Sequence, residues 1–278
     1  MELSFLESVL YGILSGLTDI LPVSAPAHKI LLLKLFGVGK EPAFLSLFLH
    51  LAILGGLYYS CQSQILKISR ARRLARVPKR RRKRPLDTKS LMDFRLVQTM
   101  FLPTILGFLL YDKVSPLGGK LMWVAIFLLI NGVILYIPQF LPGSNKDSRM
   151  LSRVEGLLIG LGGAAAIFPG ISAVGAAMSI GSVCGVEKNY GFDMALFLNM
   201  AVTVGFIVFD VLALIAGGLG ALSFGIIMQY LLSAAAAFEG VVLGVRMMRK
   251  LLENNGLTSF AFYCWGCGLF TFVLNLVA

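Results

Sequence analysis

Six long apolar runs constrain this chain more than any other feature. They fall at about 43–60, 94–110, 121–141, 192–217, 222–245 and 257–277. Most reach or approach the ~20 residues needed to cross a ~30 Å hydrocarbon core. In lipid every backbone group must be bonded within its own segment, so runs this long form helices rather than barrel strands. Composition agrees: 57% of the 278 residues are hydrophobic and 14% charged, with a mean hydropathy of +0.83. A soluble domain carries roughly 25% charged residues. The expected fold is an all-α integral membrane protein, one membrane domain over residues 1–278. The first residues lack a basic n-region and a small-residue cleavage site, so no removable signal peptide is expected.

The net charge of +11 is concentrated. Between Arg70 and Lys89 stand eleven Lys or Arg residues and one acid, Asp87. In a membrane chain such a cluster marks a cytoplasmic loop, here about 67–90, rather than a nucleic-acid site. The run 43–60 then leads inward, 94–110 outward and 121–141 inward again. Lys146, Arg149 and Arg153 fall on the same side as the basic loop, as do Arg246, Arg249 and Lys250. Both termini are expected outside a bacterial plasma membrane that the chain crosses several times. Cys264 and Cys267 have CxxC spacing in an apolar run, with no second pair or nearby histidine, and are expected to pack rather than to bind metal.

Two further apolar stretches, about 5–36 and 154–185, are broken at their centres. The first breaks at Leu21-Pro22-Val23-Ser24-Ala25-Pro26 and the second at Phe168-Pro169-Gly170-Ile171-Ser172-Ala173. Proline removes a helix hydrogen bond and clashes with the preceding turn. The flanking arms are too short to cross, so each stretch is expected to form a re-entrant helix–loop–helix hairpin. Irregular backbone at membrane depth is tolerated only where protein or a water-filled cavity covers it.

The two stretches share an offset. Pro22 and Pro169 are 147 apart, Ser24-Ala25 and Ser172-Ala173 148, Lys40 and Lys188 148, and LFLHLA at 47–52 aligns with LFLNMA at 196–201. The spacing predicts a duplication, repeat 1 over about 1–143 and repeat 2 over about 150–278. Each half has one hairpin and three crossings. Three is odd, so the copies are expected to be inverted, with polar breaks meeting near the midplane as in transporters. Free N–H groups at helix starts there suit phosphate oxygens. An intramembrane carboxylate such as Asp19 is a site candidate by default. His50 aligns with Asn199 and fits either a helix–helix bond or a site role. Asp210 and Glu239 fit either mutual pairing or a cavity lining.

Gly16-Leu17-Thr18-Asp19-Ile20-Leu21-Pro22-Val23-Ser24 followed by His28 resembles the first motif of the undecaprenyl-diphosphate phosphatase (BacA/UppP) family, E-G-x-T-E-x-x-P-V-S-S-T-G-H. Pro169-Gly170-Ile171-Ser172 with Gly175-Ala176 resembles its second motif, P-G-x-S-R-S-G-A-T. The resemblance implies an enzyme releasing the terminal phosphate of a polyprenyl diphosphate in cell-wall lipid recycling. It implies Asp19, Ser24, His28 and Ser172 as catalytic residues, and Asp19 as ligand of a divalent cation, Mg or Ca. Lys29, Gly170 and Ser15 are the expected substrate contacts. The expected partners are a polyprenyl (di)phosphate and the membrane, with a second copy of the chain as a further candidate.

The chain departs from the motifs at several positions. Ser15 replaces the first glutamate and Asp19 the second, Ala25-Pro26 replace Ser-Thr, and Ala173-Val174 replace Arg-Ser. An arginine clamp in phosphoryl transfer can carry ~10³–10⁵ in rate. The alternative to hydrolysis is therefore a relative that binds or translocates polyprenyl phosphate across the membrane.

Overall fold

A computed structural model describes residues 3–82, 85–143, 145–217, 223–254 and 256–277. Lys83 and Arg84 of the basic loop and Leu222 at the start of one apolar run lie outside them. The described residues are mostly helical, with no strand beyond an isolated bridge between Lys146 and Val186. The chain is an all-α, multi-pass membrane protein.

The first stretch folds as α1 (Phe5–Ile20) and α2 (Ala25–Leu35), parted at Leu21–Ser24. The six runs become α3 (Ala43–Ala75), α4 (Thr88–Phe108) with a short bent continuation α5 (Tyr111–Val114), α6 (Leu121–Tyr136), and, after the second hairpin, three further helices. That hairpin is α7 (Arg153–Ala164) and α8 (Ala173–Val183); the last spans are α9 (Lys188–Gly217), α10 (Phe224–Asn254) and α11 (Thr258–Val277). α4 and the segment from Tyr111 to Gly119 meet at 51°. The hairpin arms contain 16, 11, 12 and 11 residues. At 1.5 Å per residue the shorter ones cover about 17 Å, roughly half the hydrocarbon thickness.

One boundary differs from expectation. α3 does not stop near residue 60 but runs on to Ala75, so the first third of the basic loop is helix. Gln, Leu, Lys, Arg and Ala dominate 61–75, and all are strong helix formers. The helix continues past the apolar run because nothing in that sequence stops it before Val77-Pro78.

Several contacts between elements recur when the two halves are exchanged, although α8 packs closely on α9 and α2 has no comparable contact with α3. α1 packs on α10 and α7 on α4, so each hairpin lies against a span of the other half; α3 pairs with α9 and α6 with α11. Gly12 and Gly16 make the first contact possible. A Cβ at either would overlap the carbonyl of Ser233 or Ala237 on α10. This is the small-xxx-small packing by which backbones approach in membranes. The hairpins also start alike: Ser4 and Glu7 form a capping box on α1, Ser152 and Glu155 another on α7.

The two breaks touch. Gly175 of α8 faces the Pro22 ring, where a Cβ would not fit. Asn131 of α6, fully buried, joins them: its Nδ2 donates to the Pro22 carbonyl at 3.0 Å, and its Oδ1 accepts from the Ser172 N–H at 3.0 Å. One amide side chain thus satisfies a backbone group in each hairpin, at a depth where neither would find bulk water. Cys264 is buried, with its Sγ 3.8 Å from the same carbonyl.

Candidate functional site

A cavity of roughly 900 Å³ opens among the loop after α2, the segment after α5, and the facing sides of α2, α3 and α9. Its mouth, at Lys34, Lys40, Ser115 and Gly119, lies at the N-terminal end of α3, opposite the end that carries the basic loop. Asp19 at the end of α1 lines the interior, with Ala25, Pro26 and Lys29 at the start of α2, Ser46 and His50 of α3, Tyr111, and Phe206 and Asp210 of α9. Ile30, Leu33, Ile53, Ala166 and Ile167 supply apolar wall.

The polar groups form three linked sets. Asp19 Oδ2 accepts from Asn199 Nδ2 at 2.6 Å. Lys29 Nζ pairs with Glu41 at 2.9 Å; both are largely buried. Asp210 accepts from the Ser46 hydroxyl at 2.8 Å and from His50 Nδ1–H at 2.6 Å. The His50 ring stacks on Phe206 with centroids 5.3 Å apart. Asp19 lies within electrostatic reach of both His50 and Lys29. A buried charge is tolerated when paired and hydrogen-bonded: Lys29 and Glu41 form such a pair, Asp210 takes two hydrogen bonds, and Asp19 takes its hydrogen bond from the Asn199 amide.

The start of α2 faces this cavity. Ser24 is its N-cap, held at φ +72°, and its hydroxyl caps no N–H. It is fully buried and makes no hydrogen bond among the described residues. A non-glycine residue at positive φ costs of order 1–3 kcal/mol and persists only where its surroundings enforce it. The turn places Ala25, Pro26 and Lys29, at the start of α2, along the cavity. A helix start plus a cation is a phosphate-binding arrangement.

Of the expected site residues, Asp19 and Lys29 line the cavity, and Ser24 lies just behind it. His28 faces α11: Nδ1–H donates to the Ser24 carbonyl at 2.8 Å, and Nε2 accepts from the Tyr263 hydroxyl at 2.8 Å. Ser15 is buried and donates to the Tyr11 carbonyl. Ser172 caps α8 by accepting from the Gly175 N–H at 3.1 Å. Gly170, at φ +141°, packs against Phe127, where a side chain would collide. The second break therefore gives the cavity only Pro169 and the apolar residues before it. Glu41, Ser46 and Tyr111 line the cavity without having been singled out in the sequence, whereas Asp210 takes the cavity-lining place that was one of its two expected roles. Asp210 and His50 carried a signal, being ionisable residues inside apolar runs; Glu41 lay in a loop and carried none. Glu239 is exposed on α10 and does not line the cavity.

Among the described residues no three of His, Cys, Asp and Glu converge as a metal cage. Asp19 has one oxygen bonded to Asn199. It suits the Mg²⁺ mode in which one or two carboxylates and the substrate's own phosphate oxygens share the ion with water.

Residues 8–270 match the family model described as "Bacitracin resistance protein BacA". The chain is similar along its length to proteins named undecaprenyl-diphosphatase. It is 29% identical over 289 residues to that of Methanobrevibacter smithii, covering 98% of each chain. It is 26% identical over 281 residues to undecaprenyl-diphosphatase 1 of Shouchella clausii, covering 98% of this chain and 97% of that one. To the Halothermothrix orenii protein it is 24% identical over 271 residues, covering 96% of each. With the match spanning nearly the whole chain, over the same hairpins and spans that enclose the cavity, the chain belongs to the bacitracin resistance protein BacA family.

Proposed function

We propose that this protein hydrolyses the terminal phosphate of a polyprenyl diphosphate, in keeping with the name undecaprenyl-diphosphatase of its relatives, and that it thereby recycles the lipid carrier of cell-wall synthesis. One observation carries the reading: Lys29 and the start of α2 face the same cavity as Asp19, beside an apolar wall of Ile30, Leu33 and Ile53. The first pair suits phosphate oxygens, and the wall suits the first isoprene units. Lys29 draws the terminal phosphate towards α2, while Glu41 holds the ammonium in place. Asn199 orients Asp19. A divalent cation held by Asp19 and the diphosphate would neutralise charge on the leaving and transferring groups. In place of the family's arginine, cationic stabilisation falls to Lys29, a point charge rather than a bidentate fork.

In this reading the two halves are inverted copies, supported by their exchanged contacts and by three spans in each. The basic loop is cytoplasmic and the cavity mouth opens outward, where a spent diphosphate carrier would be met. The test is phosphate release by purified full-length protein from C55-diphosphate, with and without Mg²⁺. A parallel assay follows exchange of C55-phosphate between the leaflets of vesicles. Mg²⁺-dependent release with no leaflet exchange supports the proposal. Exchange without release overturns it in favour of a translocator.

A further inference from the structure

We infer that His50, oriented by Asp210, is the proton acceptor of the cavity, a unit assembled from both halves of the chain; this rests on the phosphatase reading above. The geometry carries it. The Asp210 carboxylate takes the Nδ1–H at 2.6 Å, which leaves the lone pair on Nε2. Among the described residues Nε2 makes no hydrogen bond, and His50 lines the cavity with about 14% of its side chain exposed. Phe206 stacks on one face of the ring and fixes its plane. Ser46 occupies the other oxygen of Asp210, so the carboxylate cannot swing away. A tie between α3 and α9 alone would need no imidazole edge on the cavity, because the Ser46–Asp210 bond already joins those helices.

His28, the imidazole of the first motif, has both nitrogens engaged, one by the Ser24 carbonyl and one by Tyr263. His50 is the only other histidine in the chain. Acting as base, its Nε2 removes a proton from a water in the cavity as that oxygen bonds to the terminal phosphorus. The bridging P–O bond breaks, and its electron pair leaves on the lipid monophosphate. Inorganic phosphate departs, and the proton on Nε2 passes to solvent at the mouth. His50 touches the reacting water; Asp210 is a positioning residue that holds the tautomer.

The experiment measures phosphate release from C55-diphosphate by full-length wild type, His50→Gln, His50→Ala, Asp210→Asn and Asp19→Asn, at matched folded protein. General base catalysis contributes typically 10²–10⁴-fold. His50→Gln and His50→Ala are expected to lose about 10²–10³ in kcat with KM changed less than about threefold, and Asp210→Asn about 10–10². Added imidazole should raise the rate of His50→Ala in proportion to its concentration and leave Asp19→Asn unmoved. A purely structural tie would show neither the kcat-specific loss nor the rescue, so their absence in an active wild type overturns this inference alone. His50→Gln, which keeps a hydrogen bond to Asp210, decides the case if His50→Ala does not fold. A wild type that releases no phosphate sinks the phosphatase reading and this inference together.

Discussion

Ala173 stands where the resemblance to the family's second motif would put an arginine. In this chain Ala173 is buried in a cluster with Phe108, Ala166, Ile167 and Val202, against which Tyr111, Phe206 and Phe209 pack. The surroundings of Ala173 in that cluster are apolar and aromatic. Ala173→Arg would bury an unpaired charge, at about 2.5–3.5 kcal/mol on insertion scales. It is expected to lower the melting temperature in detergent and to add nothing to phosphate release. A variant that folds like wild type and hydrolyses faster would show that the cluster yields. Lys29 behaves differently, because its charge is paired. Lys29→Met should raise KM for a diphosphate lipid by about tenfold, the worth of one charged hydrogen bond, and should also destabilise by leaving Glu41 unpaired. Adding Glu41→Gln should recover the stability but not the KM, which separates binding from folding in one pair of variants.

At the scale of elements, hydropathy located the six spans and proline located both breaks, because each is a local property. What the sequence left unseen depends on side chains meeting across the fold. Asn131 is one polar residue in an apolar run, and only the packed structure shows it bonding Pro22 and Ser172 at once. Asn131→Leu strands a carbonyl and an N–H in the interior, each costing about 1–3 kcal/mol. Thermal unfolding in detergent should register a loss of several degrees, and protease should cut first near the two breaks. The pairing of Asp210 with His50, 160 residues away, was likewise invisible to spacing. At the other end of the molecule, Asp87 caps α4 by accepting from the Ser90 N–H at 3.0 Å. The Ser90 side chain and N–H hold its carboxyl below the usual carboxylate range. A depressed folded value means stabilisation present at neutral pH and lost as the pH falls through it. Asp87→Ala should therefore cost about 1 kcal/mol at pH 7 and nothing measurable at pH 2. Equal losses at both pH values would show that the cap is not electrostatic.

For the whole molecule, the duplication is proposed from a shared offset, because an offset can survive substitution of individual residues. Exposed Arg81 and Lys113 lie at opposite ends of the bundle. A cysteine at Arg81 is expected to react with a membrane-impermeant maleimide only from the cytoplasmic side, and one at Lys113 only from outside. Labelling of both from one side would end the topology and the inverted arrangement together. The exchanged arms bear on what such a molecule can do. A protein that alternates its access needs a plane along which two rigid bodies can part. Here α1 is pressed to α10 through glycine, and α7 is pressed to α4, so every plane between the halves cuts through an arm that belongs to the other side. Rocking the halves apart would strip both close-packed seams at once. In the phosphatase reading proposed above, these seams would keep the cavity open to one leaflet, and a diphosphate lipid made in the opposite leaflet would need a separate protein to carry it across.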